Sequence, residues 1–131
     1  MLLFLVRHAH SDPGDPDELR SLSARGRKEA EALAERLAAH PTPPRFVLSS
    51  PLLRARQTAD AITRATGAEL RLEDRLAPGS AADLFVQALD GLEGPVVAVG
   101  HQPDCSEIAL ALTGRDPGFP TGGAAEIGLE D

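Results

Sequence analysis

The chain has 131 residues, 42% of them hydrophobic and 25% charged, with a formal net charge of −7. That length suits one domain, residues 1–131, with a core that buries roughly two-thirds of the unfolded surface. Four Phe and no Trp or Tyr argue against a base-stacking surface, and the acidity argues against nucleic acid or anionic membrane as a partner.

The first strand is expected over residues 2 to 6, "LLFLV", an unbroken apolar run of the kind buried on both faces of a sheet. Residues 11 to 22 are rich in Pro, Gly and acids and read as a loop. Ser23 is the expected N-cap of a helix that puts Ala30, Leu33, Leu37 and Ala38 on one face and ends at "PTPP", 41 to 44. "RFVLSS", 45 to 50, reads as a second buried strand. Ser50-Pro51 reads as a cap and first-turn proline for a helix running to Thr66 and closed by Gly67. A short strand over 68–73 follows. Ser80 with Asp83 resembles a capping box for a helix over 81–90. "GPVVAVG", 94 to 100, is a third clear strand, Pro103 opens a helix ending near Gly114, and "AAEIGL", 124 to 129, is the last strand. Strands alternating with helices of this length imply α/β architecture: a three-layer α/β/α sandwich on a mostly parallel central sheet.

No run approaches the roughly 20 apolar residues of a membrane span. The N-terminal run is short and meets Arg7-His8 at once, unlike a signal peptide. A cytoplasmic location is the default expectation. Cys105 is the sole cysteine, so no intrachain disulfide is possible. The four histidines lack metal-ligand spacing with it, so neither a metal nor another cofactor is expected.

Ligands of open α/β sheets bind at the carboxyl ends of the strands. Arg7 and His8 follow the first strand. Ser49 and Ser50 follow the second, with Arg54 one turn into the helix. Gly100 and His101 follow the third, before a helix N-terminus. If the strands are parallel, these groups share one edge and make a site for a doubly charged phosphoryl group.

"LVRHA", "SSPLLRARQTA" and "VGHQP", in that order over residues 5 to 103, resemble the motifs of the histidine phosphatase superfamily, with its phosphoglycerate-mutase-like fold. The short chain, "GHQPD" and "PTGGAAEI" are most similar to the small bacterial phosphohistidine phosphatases of the SixA type. The resemblance implies that His8 is the nucleophile phosphorylated during turnover. It also implies that Arg7 and Arg54 bind the phosphoryl group and that His101 contacts the phosphoryl oxygens and stabilises the transition state; the strand-end reading adds Ser50 as a phosphate-binding candidate. The implied enzyme is a metal-independent hydrolase, acting on a phosphorylated protein or a small phosphate ester.

Ala9 stands where many members have Gly, and the chain has no room for the insertion that supplies a glutamate acid in larger members. Glu73, Asp74 and Asp83 match no motif, and Asp12, Asp15, Asp17 and Glu18 read as a solvated rim. His10 stays open between a rim contact and a surface position. Arg56 reads as structural, Cys105 as a small core residue and Gly122-Gly123 as a turn. A small-molecule phosphomonoesterase, a phosphoglycerate-mutase-like isomerase and a non-catalytic phosphate-binding module are the competing readings. The sequence does not select an oligomeric state.

Overall fold

The computed structural model describes residues 1–129. Its sheet has five strands in the order β3-β2-β4-β1-β5. These are β1 (Leu2–Arg7), β2 (Phe46–Ser49), β3 (Glu69–Leu72), β4 (Val96–Gly100) and β5 (Ala124–Gly128). The pairs β3–β2, β2–β4 and β4–β1 are parallel, and β5 runs antiparallel to β1. The helices are α1 (Ala24–Ala38), α2 (Leu53–Thr66), α3 (Ala82–Ala88) and α4 (Asp104–Thr113). Among the described residues no helix is long and apolar enough to cross a membrane.

The period-2 alternation of side chains sorts each buried strand into two cores. Phe4 and Val6 of β1, Val47 of β2 and Val97 and Val99 of β4 meet Leu33, Leu37, Ala59 and Ile62 of α1 and α2. Leu3, Leu5, Leu48, Val96 and Ala98 meet Phe85, Ile108 and Ala109 of α3 and α4 on the other side. The result is the expected three-layer α/β/α sandwich. Each fully buried Leu, Val, Ile or Phe in it contributes about 1.5–3 kcal/mol of transfer free energy.

Local signals fixed three of the helix ends. The Ser23 side chain accepts from the Gly26 amide at 3.0 Å, an N-cap for α1. Gly67 and Gly114 end α2 and α4 in the left-handed conformation. Other expectations need correction. Ala38 is exposed, and Ala34 takes its place on the buried stripe of α1. Helix α2 starts at Leu53, with Leu52 at the cap position and no side-chain cap, so Ser50 does not cap it. The Ser80–Asp83 capping box does not form, because Ala81 precedes α3 without a side-chain bond. The Asp104 carboxylate instead accepts from the Gly79 and Ser80 amides at 2.8 and 3.1 Å.

Candidate active site

Parallel pairing carries three strand ends to one row. Arg7 is in register with Gly100, and Ser49 with Val99. Beyond the strands the ladder continues: the His8 amide donates to the Gly100 carbonyl and the Ser50 amide to the Val99 carbonyl, both at 3.0 Å. His8, Ser50 and His101 therefore leave the sheet side by side, and α2 brings Arg54 over them. A cleft of about 320 Å³ opens there, lined by Arg7, His8, His10, Asp17, Arg20, Arg54 and His101 among others. A larger groove of about 410 Å³ between α1 and α2 holds Arg56 but neither histidine of the row.

His8 is 8% exposed, and its Nδ1 lies 2.7 Å from the Ala9 carbonyl oxygen. A carbonyl only accepts, so Nδ1 carries the proton and Nε2 keeps its lone pair. Burial, followed by the charges of Arg54, Arg7 and Arg20, lowers the His8 pKa to about 4 against the opposing pull of the Ala9 carbonyl. The Ala9 amide donates to Thr58 Oγ1 at 3.0 Å, and that hydroxyl donates to the Arg54 carbonyl at 2.8 Å. The backbone beside His8 is thus fastened to α2, the helix that carries Arg54. Ala9 is fully buried, so its one methyl group is accommodated beside His8.

His101 is 3% exposed, and its ring centre is 5.2 Å from that of His8. Its pKa falls to about 3, chiefly through burial and then through the neighbouring His8 and Arg54. Both rings are consequently neutral near pH 7. Ser50 Oγ lies 2.7 Å from His101 Nε2 and accepts from the Leu52 amide at 3.3 Å. Ser50 is fully buried and does not line the cleft. It stands behind His101 and does not face the cleft.

Arg54 is 7% exposed. Its Nη1 donates to the Asp17 carbonyl at 2.9 Å and its Nη2 to Asp17 Oδ2 at 3.2 Å. Arg7 Nη1 donates to the Phe119 carbonyl at 3.0 Å, while its buried Nε has no partner among the described residues. Arg20, from the β1–α1 loop, completes a set of three arginines at the cleft.

The structure brings Arg7, His8, Arg54 and His101 together and leaves Ser50 one layer back. His10 belongs to the cleft rim, its Nδ1 2.6 Å from Ser23 Oγ. Cys105 is a core residue, as expected, and burial pushes its thiol up to about 12. Gly122 and Gly123 form a turn: Gly122 donates to the Arg7 and His8 carbonyls at 3.2 and 3.1 Å, and Gly123 accepts from the Arg7 amide at 3.0 Å. Sequence reasoning missed Arg20, whose loop carries no periodic signal. It also missed Glu29, which accepts from the His10 amide at 2.8 Å and from Thr121 at 3.1 Å and so ties both sides of the rim to α1. A helical charge facing a loop 19 residues away has no local signature.

Residues 3–83 match the model of the histidine phosphatase superfamily (branch 1). An uncharacterized protein of Picosynechococcus sp. is 33% identical over 124 residues, covering 86% of this chain and 73% of that one. The structure of the protein histidine phosphatase SixA complexed with tungstate is similar, with a TM-score of 0.88 and 26% identity, over 99% of this chain and 89% of that one. The SixA protein of Agrobacterium tumefaciens gives a TM-score of 0.83 and 30% identity over 95% and 89%. The family match covers the strand ends that carry His8 and Arg54, and the structural likeness extends past His101 to the last strand. By family match and fold together, the chain belongs to branch 1 of the histidine phosphatase superfamily, as a phosphatase of SixA-type architecture.

Proposed function

We propose that the protein is a phosphohistidine phosphatase in which His8 is the nucleophile. His8 Nε2 attacks phosphorus, the phosphorus–nitrogen bond to the substrate imidazole breaks, and the leaving imidazole takes a proton from solvent. Water then attacks the phosphorylated His8, releasing orthophosphate and restoring the neutral ring. Arg7 and Arg54 hold the phosphoryl oxygens, whose charge is spread in the transition state. His101 serves as a neutral donor. With the Ser50 hydroxyl donating to Nε2, the proton sits on Nδ1, which is buried and unpartnered among the described residues. An unpaired buried donor costs about 1–3 kcal/mol, and a phosphoryl oxygen would relieve that cost.

One observation carries the choice of substrate. Among the described residues Asp17 is the only carboxylate lining the cleft. Its hydrogen bond from Arg20 and the nearby Arg54 hold its pKa below the usual carboxylate range, so it stays ionised and is a poor proton donor. Glu73 is occupied by Arg75, and Asp83 is exposed on α3 away from the cleft. An alkoxide leaving group needs an acid in the transition state, whereas an imidazole does not. The site therefore suits a phosphorus–nitrogen bond, and a phosphorylated protein as the partner that carries it. The test compares kcat/KM for a phosphohistidine protein with values for phosphoglycerate and sugar phosphates. We expect the phosphohistidine protein to lead by tenfold or more; an alkyl phosphate leading by that margin overturns the reading.

A further inference from the structure

Arg20 lies outside the three motifs, yet its guanidinium is built into the cleft. Nε donates to the Asp12 carbonyl at 2.9 Å and Nη2 to Ser11 Oγ at 3.1 Å. The base of that loop is itself closed by an antiparallel bridge between Ser11 and Leu22 and by the Asp12 amide donating to the Ser21 carbonyl at 3.0 Å. Two anchors therefore fix Arg20 without Asp17. The remaining nitrogen, Nη1, donates to Asp17 Oδ1 at 3.1 Å.

The other oxygen of that carboxylate faces Arg54 Nη2 at 3.2 Å. Asp17 thus spans two guanidinium groups, one oxygen on each. Phosphoryl groups and carboxylates engage guanidinium groups through the same paired-oxygen geometry. The Arg54 side chain is 8% exposed, while that of Asp17 is 59% exposed. Asp17 also sits on a short 3₁₀ turn, Asp17–Leu19, with no buried residue. An exposed ion pair on a turn that buries nothing is weakly held, whereas Arg20 is fixed by Ser11 and Asp12 and the Arg54 side chain is held by burial, its Nη1 bonded to the Asp17 carbonyl and not to the carboxylate.

We propose that Arg20 is a third phosphoryl-binding arginine, and that the Asp17 carboxylate occupies the position of the substrate's oxygens between Arg20 and Arg54 until the phosphoryl group displaces it. This rests on the phosphatase reading above and adds a ligand and a built-in competitor to it. With Asp17 seated, one negative charge offsets the arginines of the free site. On displacement, a phosphoryl dianion meets three guanidinium groups in place of two. The charge of Arg20 already reaches His8, contributing to its lowered pKa.

The test is calorimetric titration of tungstate, a phosphate-shaped dianion, into the wild type and the variants Arg20→Ala, Arg20→Lys and Asp17→Asn. Arg20→Ala should weaken binding on the order of tenfold. Arg20→Lys should fall between it and the wild type, having the charge without the fork. Asp17→Asn should tighten binding severalfold, because the competitor loses its charge. Unchanged binding in Arg20→Ala, or unchanged or weaker binding in Asp17→Asn, overturns the proposal. If Arg20→Ala fails to fold, Asp17→Asn decides alone, since its turn buries nothing. A folded wild type that binds no tungstate overturns the phosphatase reading itself. Tight wild-type binding that ignores both positions overturns only the roles of Arg20 and Asp17.

Discussion

Ser50 Oγ and His101 Nε2 lie 2.7 Å apart in the buried layer beneath the cleft, joining residues 51 positions apart in the chain. The hydroxyl also accepts from the Leu52 amide, and in the tautomer proposed above it donates its own proton to the imidazole. In this arrangement Ser50 is a positioning residue that sets the tautomer of His101. Ser50→Ala should lower kcat on the order of ten- to a hundredfold, as for other groups that orient a reacting histidine. The ¹⁵N shifts of the His101 ring should report a change of tautomer. A variant with wild-type kcat and unchanged ring shifts would remove that role.

His8→Ala should abolish turnover and also abolish an acid-labile, base-stable phosphoenzyme trapped from a reactive phosphodonor. Arg7→Ala and Arg54→Ala should each lose on the order of a hundredfold or more in kcat/KM, as for other preorganised donors to transition-state charge. Phosphorus retained on the His8→Ala protein would assign the nucleophile to another residue.

The two cleft histidines should titrate far below an ordinary imidazole. NMR titration of the ring resonances should give midpoints of about 4 for His8 and about 3 for His101, against the usual 6.5. His8 then keeps its lone pair across the whole neutral and mildly acidic range. The acid limb of activity is displaced accordingly, and a rate that is flat down to about pH 5 is compatible with this nucleophile. A His8 midpoint near 6.5 would contradict the buried, arginine-flanked setting.

The same shifts bear on stability. Unfolding returns both rings to about 6.5, so from there down to the folded values the unfolded chain binds more protons than the folded one. Stability should be fully present above about pH 6.5 and decline as pH falls toward 3. His101→Gln should flatten that decline in chemical denaturation series across this range; an unaltered slope would mean that His101 is not buried as a neutral ring.

Gly26, in the first turn of α1, packs directly on the rim. A Cβ built there would sit 1.8 Å from the His10 carbonyl oxygen, and backbone cannot yield as a flexible side chain can. Gly26→Ala should cost about 2 kcal/mol or more in denaturant unfolding and should lower activity by pushing residues 10 and 11 off α1. A neutral substitution would show that the loop base can move without consequence.

The elements legible in the sequence were those governed by local rules. "LLFLV" and "PVVAV" read as strands because burial on both faces demands unbroken apolar runs, and parallel pairing then placed Arg7, His8 and His101 on one edge. Ser23 could be read as a cap because its acceptor role involves an amide three residues away. The failures share a different cause. Ser50 and Ser80 have the side chains of caps, but partners distant in sequence decided both places: His101 uses the first hydroxyl, and Asp104 takes the amides beside the second. Asp17 was legible as a rim acid, while its span of Arg20 and Arg54 depends on how a proline-rich loop folds back over α2. Ala34 rather than Ala38 joins Ala30, Leu33 and Leu37 on the buried stripe, which closes at Leu37.

The strand order also sets a timetable for synthesis. β1 is the first element made, yet its two neighbours are β4 and β5, the last two strands. An emerging chain holds its most apolar segment unpaired until residue 96 and beyond has left the ribosome, while α1, β2 and α2 can already associate. Pairings this distant in sequence close slowly and leave hydrophobic surface exposed in the interval. Arg7 and His8 sit at the end of that waiting strand, and the carbonyls of Gly100, Phe119 and Gly123 that receive them arrive later still. Catalytic competence should therefore appear abruptly, when residues 119–123 and β5 are delivered to β1, and not accumulate as the domain grows.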